Sequence, residues 1–336
     1  MAATPEALSE SLDQLYSTTW QLMRKEAVDN IFNATPLSYR LYNKGIRKES
    51  GGRWIGVQLL YGKNTTVKTI GIGGAVDIVN DELITTGKAD WKWVVANIVR
   101  YFGEDTQNAG KEQIMNLLQA KLKVAELSLV DKFEEMLVAD GSGNGGLDWC
   151  GLAKYITVAG TGDSLGIDAT TNTWWNNKTT DMAQGGSTTH LGTMNLIRNT
   201  YNDCSVGNDH PTILMSTQEM YEWYELQLQN ILRVAPVDRK MADLGFEALQ
   251  YKGADWTYSP SLVAGSFDTS DHGLFFLNER YLDLVIHTAA DFHMTEWKPI
   301  PNQLDRVAQI VVQGELVCSN RRMQGIGYGI AAIPVT

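Results

Sequence analysis

The 336-residue chain is poor in the residues that carry chemistry. Its three cysteines, Cys150, Cys204 and Cys318, are far apart and odd in number. No CxxC spacing exists, which speaks against a disulfide framework and a zinc ribbon. The five histidines, His190, His210, His272, His287 and His293, include no HExxH and no i, i+4 pair on a helix. His287 and His293 flank Asp291 but are read as surface or satisfied core side chains, so no metal centre is expected. There is no GxxxxGK[ST] and no GxSxG elbow, which excludes P-loop and α/β-hydrolase chemistry in their usual forms. Residues 141–146 do contain a GxGxxG spacing, but it follows a helix, whereas a dinucleotide fingerprint follows a strand; the segment reads as a C-cap and hinge. No catalytic, cofactor-binding or metal-binding residue is assigned.

Long apolar runs are missing too. None reaches the roughly 18 residues of a membrane span, so no membrane partner is expected. The segment MAATPEALSESLDQ is polar and acidic, unlike a secretory signal, and reducing, cytosol-like surroundings are expected. Asn33, Asn64 and Asn177 match a glycosylation pattern that is then read as chance. Positive charge is also scarce: 28 Lys+Arg against 39 Asp+Glu leave a net charge of −11. Gripping nucleic acid by its phosphates needs a basic face, so strong DNA or RNA binding is disfavoured. The same acidity suits a protein that lies near DNA without sticking to it. What remains is ordinary for a folded chain, with 43% hydrophobic and 20% charged residues and enough length for two lobes.

The strongest positive signal is one long amphipathic helix expected from Asn108 to Asp140. Ile114, Leu117, Leu118, Leu122, Ala125, Leu129, Phe133, Met136 and Leu137 recur at steps of three and four and fall on one stripe. Some 30 residues at about 1.5 Å each make a rod on the order of 45 Å. Asn108 suits the N-cap and Gly141 the C′ stop. Asp131, Glu134 and Glu135 are expected on the solvated or interfacial side of the rod.

Upstream, Glu6 to Asn33 reads as a helix that Thr35-Pro36 ends. After Ser50-Gly51-Gly52 the texture changes to period-two alternation over Arg53–Tyr61. Gly62-Lys63-Asn64 reads as a turn, Thr65–Ile70 as the return strand, and Trp91–Phe102 as a further strand. Residues 51–90 hold little to build a core from, so they look like a protruding hairpin that a neighbour would cover. Downstream, helices are expected at His190–Tyr201 and Gln218–Ile231, and strands at Thr212–Ser216, Leu274–Leu277, Tyr281–His287, Arg306–Cys318 and Gly325–Ile333.

This α+β order resembles the major capsid proteins of tailed double-stranded-DNA bacteriophages, the Hong Kong 97-like capsid fold. Gly51-Gly52, Asn108-Ala-Gly-Lys-Glu-Gln-Ile, Asp148-Trp-Cys-Gly151-Leu152, Leu165-Gly166-Ile167-Asp168 with Trp174-Trp175-Asn176, and Gln309–Val317 carry the resemblance through their order. It implies an N-terminal arm (1–50), an extended E-loop (51–90), and a P domain with a strand and spine helix (91–146). A mixed α/β A domain (147–278) and P-domain closing strands with the C-terminus (279–336) follow. It implies E-loop contacts between subunits through Arg53, Trp54, Ile55, Leu59, Leu60, Tyr61, Lys63 and Lys68. It also implies a spine core of Ile114, Leu118, Leu122, Leu129 and Phe133. The partners implied are other copies in hexamers and pentamers, with portal, scaffolding and decoration proteins. The shell would enclose double-stranded DNA without sequence-specific binding, use no cofactor, and be a virion capsid assembled in the host bacterial cytoplasm. The short arm implies a separate scaffolding protein, or a form without one. A bacterial nanocompartment (encapsulin-like) shell has the same fold and is the first alternative. A carbohydrate-active enzyme is the second: ten tryptophans permit it, but it needs two carboxylates facing one cleft, and no such pair is identified.

Overall fold

The computed structural model describes residues 36–76, 78–103, 117–182, 190–231, 249–263, 266–267 and 272–330. The first elements are α1 (Pro36–Lys44), β1 (Arg47–Glu49), β2 (Ile55–Leu60), β3 (Ile84–Ala89), β4 (Lys92–Arg100) and α2 (Leu117–Val138). Then come β5 (Asp163–Ser164), β6 (Ile167–Asp168), β7 (Lys178–Asp181), α3 (His190–Asp203), β8 (Ile213–Ser216) and α4 (Gln218–Ile231). The last are β9 (Leu249–Tyr251), β10 (Ala254–Tyr258), β11 (His272–Leu277), β12 (Leu282–His287), β13 (His293–Met294), β14 (Lys298–Pro299), β15 (Arg306–Cys318) and β16 (Gly325–Ile330). The described residues fall into two compact units: a smaller one within 94–132 and 292–312, and a larger one within 36–93, 133–291 and 313–330.

In the larger unit a six-stranded sheet runs β7-β16-β11-β8-β10-β9. β7 and β16 pair in parallel, as do β8 and β10, while β11 is antiparallel to both its neighbours. α3 packs on β16 and β7, and α4 on β10 and β11. The residues between helices and sheet are aromatic and apolar. Tyr224 stacks on Trp256 with ring centroids 4.1 Å apart, and Ile197, Leu214, Trp223, Leu274 and Phe276 are buried around them. Burying side chains of this size is worth roughly 1.5–3 kcal/mol each, which is what fixes this sheet.

The C-terminal half of β15 pairs antiparallel with β12, and β12 pairs in parallel with β1. The smaller unit contains the N-terminal half of β15, on which β13 and β14 pair antiparallel. Gln309 donates to Asn97 of β4 there, and the Phe102 amide donates to Asp305.

α1 starts at Pro36, where a proline forfeits no hydrogen bond. Its next free amides are met by a side chain distant in sequence. Leu37 N and Ser38 N donate to the Glu134 carboxylate at 3.3 and 2.8 Å, and Ser38 Oγ and Ser259 Oγ add bonds at 2.7 and 3.2 Å. A carboxylate there satisfies orphan donors and faces the positive end of the helix. Glu134 is therefore buried, not on a solvated face as expected from the sequence. Burial pushes its pKa up, and the bonds from Ser38, Leu37 and Ser259 oppose that. Arg40 ties α1 further, to Asp255 at 2.5 Å and Glu279 at 2.7 Å. Residues 36–49, counted with the arm in the sequence reading, are thus packed onto their own subunit.

The spine helix is seen as α2 over 22 residues; Asn108 and Ile114 lie outside the described residues, as does the side chain of Leu118. Leu129 and Phe133 are buried and Leu122 is half-buried. Phe133 packs on the fully buried Trp149 with centroids 4.9 Å apart. Beyond the helix Gly141 has a φ of +78°, and a Cβ on it would stand 2.9 Å from Cys150 Cα. Gly151 admits no side chain at all: its Cβ would lie 2.2 Å from the Met136 carbonyl oxygen. Glycine is required where backbones approach this closely.

Candidate functional site

The hairpin in residues 51–90 is real, but its return strand is not Thr65–Ile70. β2 pairs antiparallel with β3, from Ile55↔Ala89 to Leu60↔Ile84. The reason is cover. Strand alternation is rewarded where one face is buried, and every described residue of 67–79 is exposed. Polar bonds fold that stretch instead. Thr65 N donates to Asp81 at 2.7 Å, and Thr66 N donates to Asn64 Oδ1 at 2.8 Å as in an Asx turn.

The root of the loop is well held. Ile55, Val57 and Leu59 alternate with the exposed Gln58 and Leu60 and are buried in the subunit itself. Ile55 and Leu59, expected among the inter-subunit contacts, are instead buried within their own chain. Tyr61 N donates to the Leu83 carbonyl, and the Tyr61 ring stacks on Trp174 at 5.4 Å. Trp91 Nε1 donates to the Gly52 carbonyl at 3.0 Å. Trp54 is partly exposed, with Lys88 Nζ 4.7 Å and Arg53 Cζ 5.4 Å from its ring, close enough for cation–π attraction.

Beyond the root the cover stops. Val67, Ile70, Ile72, Val76, Ile78 and Val79 are all exposed large apolar residues, and Leu60 and Ile84 join them at the ladder's end. Single exposed apolar residues are normal; here six fall within thirteen positions, a density well above that ordinary scatter. Lys63 and Lys68 are exposed at the same end.

A second cluster was not foreseen from the sequence. Glu315 on β15 is buried, accepts from Cys150 N at 2.5 Å, and lies 3.5 Å from Lys92 Nζ. Lys92 Nζ also donates to Cys150 Sγ at 3.2 Å and to the Asp148 carbonyl. Burial pushes the Glu315 carboxyl up to about 8, against the pull of Lys92. Burial also raises the Cys150 thiol, the reverse of what a nucleophilic cysteine needs. The cluster ties the segment after the spine to β15. Among the described residues no group of three or more His, Cys, Asp or Glu could hold a metal ion, and no helix is long and apolar enough to cross a membrane. His287 Nδ1 accepts from Ala289 N, and Asp291 pairs with Lys48 at 2.6 Å. The glycine-rich 143–146 segment is a turn in which Asn144, Gly145 and Gly146 have positive φ.

No protein-family model and no curated protein matches the sequence. Solved structures do match. The cyanophage A-1(L) capsid asymmetric unit is 15% identical with a TM-score of 0.63, covering 93% of this chain and 98% of that one. The capsid of an empty GTA particle is 9% identical with a TM-score of 0.60, covering 92% and 95%. The SrpI encapsulin of Synechococcus elongatus PCC 7942 is 8% identical with a TM-score of 0.55, covering 94% and 95%. Identities this low speak for the path of the chain alone. Matched by capsid structures over nine-tenths of its length, the chain has the α+β Hong Kong 97-like capsid fold.

Proposed function

We propose that this chain is a major capsid protein that self-assembles through hexamers and pentamers into an icosahedral shell around a phage genome. The observation that carries the reading is the uncovered apolar tip of the 51–90 loop on a capsid fold. In a lone subunit this surface faces water at a cost; in a lattice it lies over the next copy. A shell of one repeated chain needs such heterologous contacts that close around each axis. Residues 51–90 act as the E-loop, with Arg53, Trp54, Leu60, Tyr61, Lys63 and Lys68 facing the neighbour. Ile55 and Leu59 support it from within. Residues 91–146 and 279–336 serve as the P domain, 147–278 as the A domain and 1–50 as the N-terminal arm. The role is structural rather than enzymatic. Portal, scaffolding and decoration proteins complete the particle, which is built in the bacterial cytoplasm. The net charge of −11 fits a wall that holds DNA without gripping it.

The likeness to an encapsulin favours one second reading, a nanocompartment shell. Expression of the chain with and without its neighbouring genes, followed by electron microscopy, tests both. Closed shells filled with DNA support the capsid; closed shells filled with a protein cargo support the nanocompartment. A small monomer under every assembly condition contradicts both.

A further inference from the structure

The loop root rests on a two-residue turn that a leucine is forced to make. β5 and β6 form a hairpin, Asp163↔Asp168 and Ser164↔Ile167, joined by Leu165 and Gly166. Their φ values are +55° and +71°, both positive as a type I′ turn requires. Glycine adopts that conformation freely; in leucine it crowds Cβ against the backbone. A bulky residue stays there only where its surroundings over-determine it, and such residues mark places where position matters.

The surroundings act from two sides. On the outer side the Leu165 carbonyl accepts from Lys88 N of β3 at 2.9 Å. The Leu165 side chain is buried against Gly87, where a Cβ would stand 3.0 Å from Leu165 Cβ. Trp174, a few residues on, carries the Tyr61 ring. On the inner side Ser164 Oγ accepts from Trp175 Nε1 at 2.9 Å and from Arg321 Nη1 at 3.2 Å.

Arg321 is fully buried in the turn between β15 and β16. Its other bonds go to the carbonyls of Tyr155 at 2.6 Å, Gly162 at 3.2 Å and Thr161 at 3.3 Å, and to Asn177 Oδ1 at 3.1 Å. These five bonds match the five N–H groups of a guanidinium, and every acceptor is neutral. A buried charge is ordinarily matched by a carboxylate; here it grips both ends of the 155–177 segment. Trp175 lies beside it, 6.0 Å from Cζ to ring centroid.

We propose that Arg321, Ser164 and Leu165 form a preset seat that fixes the angle at which the 51–90 loop leaves the subunit. Arg321 is then a positioning residue for assembly, although it touches no neighbour. The link to assembly rests on the shell reading; the seat itself does not.

The test is hydrogen exchange at the Lys88 amide in the full-length, unassembled subunit, joined to counts of closed shells by electron microscopy. Gly87→Val pushes on Leu165 from the outer side without entering the main core, and Arg321→Lys removes the fork from the inner side. Each is expected to speed Lys88 exchange by about tenfold or more while amides of β8 and β11 stay protected. Each should also leave few or misformed shells. Wild-type exchange at Lys88 in either folded variant overturns the seat, and normal shells despite fast exchange overturn its role in assembly. If Arg321→Lys does not fold, Gly87→Val decides by the same two readouts. If the wild-type chain never closes shells, the shell reading fails while Lys88 exchange still decides the seat.

Discussion

The two ends of the 51–90 loop carry similar residues and meet opposite surroundings. At the root, Ile55, Val57 and Leu59 are covered by their own subunit, and polar and ring contacts lock the strands around them. At the tip, Val67, Ile70, Ile72, Val76, Ile78 and Val79 are as apolar and lie open. Composition does not separate the two ends; what each packs against does. The root belongs to the folding of one subunit. The tip is not covered by the subunit, and the proposed shell gives its apolar side chains a neighbour to pack against.

That contrast can be broken by substitution. Ile55→Asp places an unpaired charge in a site with 0% exposure and should cost about 3 kcal/mol or more, measured by denaturant unfolding. Wild-type stability would show that the root is not covered. Glu315 separates body from tip by pH. Its carboxyl is raised from 4.5 to about 8, so the folded state binds the proton more tightly than the unfolded one. Its contribution is complete below about pH 4.5 and is lost as pH rises through about 8. Glu315→Gln should therefore gain on the wild type across that window by at most about 1.4 kcal/mol per pH unit, then run parallel. A difference independent of pH would mean that folding does not raise the Glu315 carboxyl. Root amides should follow this pH dependence in exchange experiments, and tip amides should not. The smallest stability effect belongs to the tip. Ile72→Ser with Ile78→Ser should change unfolding free energy by no more than about 0.5 kcal/mol each while sharply reducing assembly. A large stability loss would place the tip in the subunit's own core.

The architecture was legible where periodicity is strong. β15 over Arg306–Cys318 matches its expected span, and α3 and α4 begin at the expected His190 and Gln218. The loop was legible as a hairpin, but its pairing was not. Gly62-Lys63-Asn64 offered a nearer turn than the true partner strand at Ile84–Ala89, and local turn chemistry cannot report which strand finds cover. Glu134 was misplaced because a helix stripe shows which residues are polar, not that Ser38 and Leu37 bring amides to one of them. Glu315 had a readable signal: a lone carboxylate between Val312 and Val317 in an apolar strand is rarely left without a partner. Arg321 had none, since its five acceptors are mostly backbone carbonyls.

The most direct measurement is electron microscopy of particles formed when the full chain is expressed with its neighbouring genes. Closed shells are expected in which residues 65–81 lie against an adjacent copy. A monomer in all assembly conditions, with 65–81 folded back on its own subunit, would contradict it.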